Sequence, residues 1–169
     1  MKNELIMKQA GVGIEDRKSV KPALDKAEAT GAPAAAIELS DGRVVTGKTS
    51  NLLGASAAAI LNALKALAEL DDDVFLISPE VIEPIQDLKT KNFGNHNPRL
   101  HIDETLIALA ISATTNETAE KAFSKLEDLR GAEAHSSVIL SQIDDSTFKK
   151  LGINLTCEPD YQTKKLYHA

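Results

Sequence analysis

Tryptophan is absent from this 169-residue chain, and cysteine occurs once, as Cys157. A single thiol excludes an internal disulfide and a multi-thiolate zinc site, and it suits a reducing, cytoplasmic setting. Aromatics are scarce, four Phe and two Tyr, so there is no ladder of rings on which bases could stack. Positive charge is in deficit: 19 basic residues face 25 acidic ones, for a net charge of −6. That balance is the opposite of a surface that releases counterions from nucleic-acid phosphates. Long apolar runs are missing, since residues 106–111 fall far below the ~18 that a membrane span requires. The opening segment carries Glu4, Lys8 and Gln9 where a secretory signal would need an apolar core. The expectation is a soluble cytoplasmic protein with neither nucleic acid nor membrane as partner.

Apolar residues make up 43% and charged residues 26%, the proportions of an ordinary globular domain. Residues 3–10 and 22–30 read as two short helices separated by Gly11 and Gly13, with Pro22 opening the second and Gly31 closing it. They form a helical lead-in over residues 1–31, followed by a single α/β domain over 32–169. Its first feature is a hairpin: 34–39, a tight Asp41-Gly42 turn of type I′, then 43–46, where Val44, Val45 and Thr46 prefer an extended backbone. An alanine-rich helix over 55–70 is apolar or small on nearly every face, which implies burial on more than one side. Residues 74–77 read as an inner strand, and Ser78-Pro79 starts a helix limited by Pro84. After a polar loop, Asp103 is expected to cap one helix and Asn116 another. Strands over 135–140 and 153–157 flank a short helix at 145–151, and the tail from Pro159 is polar. The order predicts an α/β fold with a mixed sheet that begins with a β-hairpin and is covered by helices.

Gly42 to Thr49 satisfies the phosphate-loop pattern G-x-x-x-x-G-K-[ST], making Gly47, Lys48 and Thr49 candidates for holding a nucleotide. A true phosphate loop begins its helix at the lysine, whereas Gly54 argues against a helix already under way. Val44, Val45 and Thr46 also resist curling round an anion. The hairpin reading is therefore preferred over nucleotide binding, and no cofactor or metal is expected.

His101, Asp103 and Glu104 place an imidazole and two carboxylates at one helix start, with His96 nearby. That combination suits acid–base or metal chemistry, although a loop whose carboxylates merely cap a helix explains it as well. His135 beside Ser136 suggests hydrolysis, but neighbours on a strand point to opposite faces, which favours a hydrogen-bonded structural histidine. Cys157 followed by Glu158 could be a nucleophile with its base, or a buried thiol that only fills space.

Two resemblances follow. A hairpin, an alanine-rich helix, a strand and a helix opened by Ser78-Pro79 resemble the first half of the cytidine-deaminase fold. Gly54-Ala55-Ser56 and Pro79-Glu80-Val81-Ile82 stand where that family places its zinc ligands, so the likeness implies the arrangement without the deamination chemistry. The second covers nearly the whole chain. The runs from Gly31 to Leu39, Asp41-Gly42-Arg43, Thr46 to Ser50, Ile77 to Glu80, Glu133 to Ser136 and Gly152 to Pro159 are similar to an uncharacterised bacterial family, domain of unknown function 1846. Its members are usually much longer and carry a phosphate-loop-like segment in a part that this chain does not match. Some bear the label ATP-dependent zinc protease, yet this chain has no His-Glu-x-x-His, so the resemblance implies no protease or metal residues here. It implies a C-terminal α/β module; the apolar lead-in helix and the alanine-rich packing suggest that this module packs against its own N-terminal, nucleotide-binding domain or against a homologous subunit, as an oligomer. The alternative reading is a small-molecule or nucleotide-binding enzyme with a pocket near His101, Asp103, His135 and Cys157.

Overall fold

The computed structural model describes residues 17–159. The helix expected over 3–10 and the tail beyond Pro159 lie outside the described residues.

Helix α1 (Val20–Thr30) has Pro22 in its first turn, where no intrahelical N–H donor is needed, and stops at Gly31 with φ 69°. Strands β1 (Ala34–Glu38) and β2 (Val44–Lys48) pair antiparallel, with Ala36 opposite Thr46. The turn between them is not the expected type I′. Gly42 has φ 90°, while Asp41 is not among the described residues with positive φ. The Gly42 amide donates to the Leu39 carbonyl, and the Leu39 amide donates to that of Arg43. This is a three-residue connection in which only the glycine turns left-handed.

Helix α2 (Ala55–Leu67) lies across β1 and β2. Helix α3 (Pro79–Asp87) contains Pro84 and runs into a single π turn, Leu88–Asn92. Helices α4 (Ile102–Ser112) and α5 (Glu117–Phe123) follow, the latter capped by Asn116, whose side chain accepts from the Thr118 and Ala119 amides. A 3-10 turn, Leu126–Leu129, leads to β3 (Glu133–Ser136). Helix α6 (Gln142–Leu151) and β4 (Asn154–Cys157) complete the described chain. The sheet order is β2-β1-β3-β4; β1 and β3 are antiparallel, β3 and β4 parallel. The fold is thus α/β with a mixed sheet opened by a hairpin.

The strand expected at 74–77 does not form. Leu76 and Ile77 are buried in the core, but the carbonyls of Asp72 and Val74 are taken by Lys65 Nζ at 2.8 and 3.2 Å rather than by a neighbouring strand. Hydrophobicity demanded burial there without demanding β-pairing. The likeness to the first half of the deaminase fold therefore loses the strand it requires between α2 and α3.

Similarly, β3 ends at Ser136 instead of continuing to residue 140. The Ser137 amide still donates to the Ala34 carbonyl, but the Ser137 hydroxyl accepts the Ala34 amide and the Ser136 hydroxyl bonds both backbone groups of Val138, so side chains take over from the ladder there. Helix α6 starts three residues earlier than expected because Ser141 caps it, accepting from the Asp144 amide at 3.2 Å.

Alternation along the strands divides the two layers. Ala35, Ile37 and Ala134 face a core shared with Ile60 and Leu64 of α2, Leu109 of α4 and Phe148 of α6. Ala34 and Ala36 point the other way, under α1.

Candidate functional site

Two cavities flank α2. The larger, about 210 Å³, lies between that helix and residues 74–77 and is lined mainly by Leu61, Val74, Leu76, Ile77 and Ile82. Its lysine, Lys65, is already committed to backbone carbonyls. The smaller, about 60 Å³, lies beyond the last residues of β2 and β3, where polar groups from several segments converge. The carboxyl ends of strands are the usual place for ligands in α/β sheets. We take this cleft as the candidate site.

Its floor is the start of α2. Gly54 precedes the helix without a capping side chain, and the first turn has no acidic residue. One wall is the loop before α4, tied to the α2 entry by bonds from the Leu100 amide to the Leu52 carbonyl and from the Gly54 amide to the Leu100 carbonyl. That tie brings Arg99 and His101 to the cleft. The opposite wall runs from Ser136 to the start of α6 and contributes Ser141 and Asp144.

Asp144 and His101 are the charged pair of the site. One Asp144 oxygen accepts from the Ile102 amide at 3.0 Å, the other faces His101 Nδ1 at 3.4 Å. Asp144 raises the His101 pKa above its ordinary value, against the opposing pull of burial.

Only one of the four residues expected to share a pocket lines this cleft, namely His101. Asp103 is exposed and lies inside the first turn of α4 rather than at its N-cap, although its Oδ1 accepts the Glu104 amide at 2.8 Å. Glu104 accepts the His101 amide at 2.8 Å and Asp144 covers that of Ile102, so the helix begins at residue 102 with His101 as its cap residue. Glu104 is also held by buried Lys89 at 2.7 Å, which leaves it a structural role.

His135 sits on the other face of the sheet, 1% exposed, with Nδ1 2.6 Å from Thr156 Oγ1 and Nε2 2.8 Å from Glu158 Oε2. Burial lowers its pKa, and the Glu158 hydrogen bond opposes that shift only in part. Cys157 is half-buried and its carboxylate neighbour Glu158 is engaged by His135. Burial pushes the thiol up, away from the thiolate. His96 is exposed and outside the cleft lining.

In the phosphate-loop motif, Gly47 and Lys48 lie inside β2, paired with Ala35 and Ala34. Lys48 is exposed, and α2 begins only at Ala55. No phosphate loop forms there, although Thr49 does line the cleft.

Sequence reasoning missed Ser56, Arg99 and Asp144. The one local signal for them was a glycine at a helix start with no capping residue, followed by a serine. No serine hydroxyl of the cleft bonds His101 among the described residues, so there is no assembled nucleophile–base pair. Nor do the described residues group three or more His, Cys, Asp or Glu side chains for a metal ion.

Among the described residues, a mixed sheet, a polar cleft at the strand ends and a second, mostly apolar cavity define an α/β domain. The chain belongs to the family described as Domain of unknown function DUF1846, C-terminal, which it matches over residues 15–167. It is 56% identical over 163 residues to a UPF0371 protein of Corynebacterium glutamicum (strain R), covering 96% of this chain and 33% of the relative. A UPF0371 protein of Corynebacterium efficiens is 53% identical over 163 residues, with 96% and 33% covered. One from Streptococcus pyogenes serotype M5 is 52% identical over 166 residues, with 98% and 34% covered. The chain thus spans about a third of the length of the curated relatives it matches.

Proposed function

We propose that this chain is a C-terminal docking module. It packs through the outer surface of α4 and α6 against the N-terminal part present in the longer relatives, in a cytoplasmic setting. The observation that carries this reading is the exposure of large aliphatic side chains on two helices packed together: Ile107 is 60% exposed, Ile111 62% and Ile143 51%. Ile107 and Ile111 are four residues apart on α4 and so share one face. Exposed aliphatics at helical spacing mark surfaces that another chain or domain covers. The twofold excess of length in the relatives supplies an occupant of suitable size. We take that occupant to be the nucleotide-binding domain that the family resemblance implies.

Among the described residues, no helix is long and apolar enough to cross a membrane. A membrane-spanning helix therefore has no part in this reading of the apolar face.

Co-purification with the N-terminal two-thirds of the Corynebacterium glutamicum relative tests the proposal, with light scattering to set the stoichiometry. The expected result is a one-to-one complex that is lost when Ile107 and Ile111 are both changed to Asp. A chain that stays monomeric alone and ignores the N-terminal part overturns it. Self-association abolished by the same two changes would give the surface to a second copy instead, and would equally remove the N-terminal part as its occupant.

A further inference from the structure

The start of α2 is unlike a finished helix end. Ala55, Ser56 and Ala57 are 8%, 3% and 1% exposed. Their amides, the first three of the helix, have no intrahelical acceptor, and none of them donates to another group among the described residues. Helix-start amides that no side chain caps are a ready-made site for an anion. A second observation is independent of the backbone. The Ser56 hydroxyl is buried, lines the cleft and has no hydrogen-bond partner, a cost that native structures avoid unless something occupies the space.

Around this end stand groups of matching chemistry. Arg99 lines the cleft; its Nε donates to the Ser50 carbonyl, and the guanidinium forms no ion pair among the described residues. His101 lines it too. The one carboxylate in the lining, Asp144, is offset by the Ile102 amide and by His101. The helix dipole at the start of α2 and the Arg99 guanidinium are the positive groups facing the cleft. The space of about 60 Å³ is about two waters' share of liquid volume, room for a small oxyanion open to solvent on one side.

We propose that this cleft binds a phosphate-type oxyanion, held by the first-turn amides of α2, the Ser56 hydroxyl and the Arg99 guanidinium, with His101 at its edge. The bound group is either inorganic phosphate or the phosphate end of a larger phosphomonoester. The proposal does not depend on the docking surface of α4 and α6.

The test uses the whole chain in a chloride buffer free of phosphate. Inorganic phosphate, sulfate, glycerol 3-phosphate and acetate are titrated separately, followed by calorimetry and by amide NMR. Phosphate and sulfate are expected to shift the Ala55, Ser56 and Ala57 amides at millimolar concentration or below, and acetate is expected not to. Tighter binding of glycerol 3-phosphate than of phosphate assigns the site to a phosphomonoester, the reverse to the free ion.

Arg99→Gln is expected to weaken binding about tenfold or more, the usual effect of losing a charge-assisted bond. Ser56→Asp puts a carboxylate at the helix start. It is expected to abolish phosphate binding, because the fixed carboxylate takes the place of the anion at the positive end of the helix. If Ser56→Asp fails to fold, Ser56→Ala replaces it, with weakened binding expected. Absence of any shift at residues 55–57 in the folded parent chain overturns the proposal. So does unchanged affinity in both Arg99→Gln and a folded Ser56 variant.

Discussion

Residue 47 of β2 lies so close to Ala59 of α2 that a methyl group on Gly47 would stand 2.2 Å from the Ala59 backbone nitrogen. It would also meet the Ala58 carbonyl carbon at 2.7 Å. Backbone cannot move aside as a flexible side chain can. The glycine and the alanines of α2 are therefore one device: small residues on both partners let helix and strand approach closely enough to seal the core. A residue resembling part of a phosphate loop is in fact a packing position.

Substitution in this motif should separate the two roles sharply. Gly47→Ala is expected to cost about 3 kcal/mol or to prevent folding, because it overpacks against backbone. Lys48→Ala, next along the strand but exposed, should stay within about 0.5 kcal/mol of the parent chain. Urea unfolding measures both, and equal small effects would show that α2 can shift away from β2.

The pairing of His101 with Asp144 sets a pH dependence of definite sign. Its folded-state pKa is raised above the ordinary 6.5. The stabilisation is therefore fully present below that value and is lost as pH rises through the higher folded value. Asp144→Asn should lower the His101 midpoint in an NMR titration and flatten this part of the stability profile. A parent midpoint below the ordinary histidine value would contradict the arrangement.

His135 works in the opposite direction. Burial depresses its pKa from 6.5, so its favourable contribution is complete above the ordinary value and declines as pH falls through the folded one. Removing the ring with His135→Ala leaves a hole and two orphaned partners, Thr156 and Glu158. The expected loss is about 2–4 kcal/mol. Because the two histidines act with opposite sign, single variants at each should bend the pH–stability curve on opposite sides.

Lys89 is 3% exposed and ties the π turn to α4, with Nζ bonding the Arg99 carbonyl at 2.6 Å and Glu104 at 2.7 Å. Lys89→Met retains much of the volume but takes the donor from the Arg99 carbonyl and leaves Glu104 with the His101 amide alone. The expected cost is about 2–3 kcal/mol, moderated because Glu104 still reaches solvent. Circular dichroism during urea titration reads it. A neutral outcome would mean that water replaces the ammonium.

Cys157 should resist alkylation by iodoacetamide near neutral pH while the chain is folded, since burial holds its proton on. Denaturation should release normal thiol reactivity. Rapid labelling of the native chain would place the sulfur at the surface and reopen it as a nucleophile.

Much of the local structure was legible because its causes are local. Asn116 satisfies two amides within three residues of itself, Gly31 and Gly152 end helices by adopting positive φ, and the β-branched run of β2 extends on steric grounds. A hairpin, an alanine-rich helix and the α/β class all follow from such short-range rules.

Elsewhere the deciding partner is remote in sequence, and no periodicity reports it. Residues 74–77 carry the apolarity of an inner strand, yet a lysine from α2 takes the Val74 carbonyl and that of Asp72 just before the run. Asp103 has the residue type of a cap, but Glu104 and Asp144 set the start of α4. Ser56 and Arg99 are unremarkable in one dimension; only the tie between the α2 entry and the α4 loop brings them to one cleft with His101. Amino-acid composition and spacing by themselves determined what this chain would bury and where its backbone would turn. Tertiary structure alone decided what each buried group met, because packing brings together residues that chain order keeps apart.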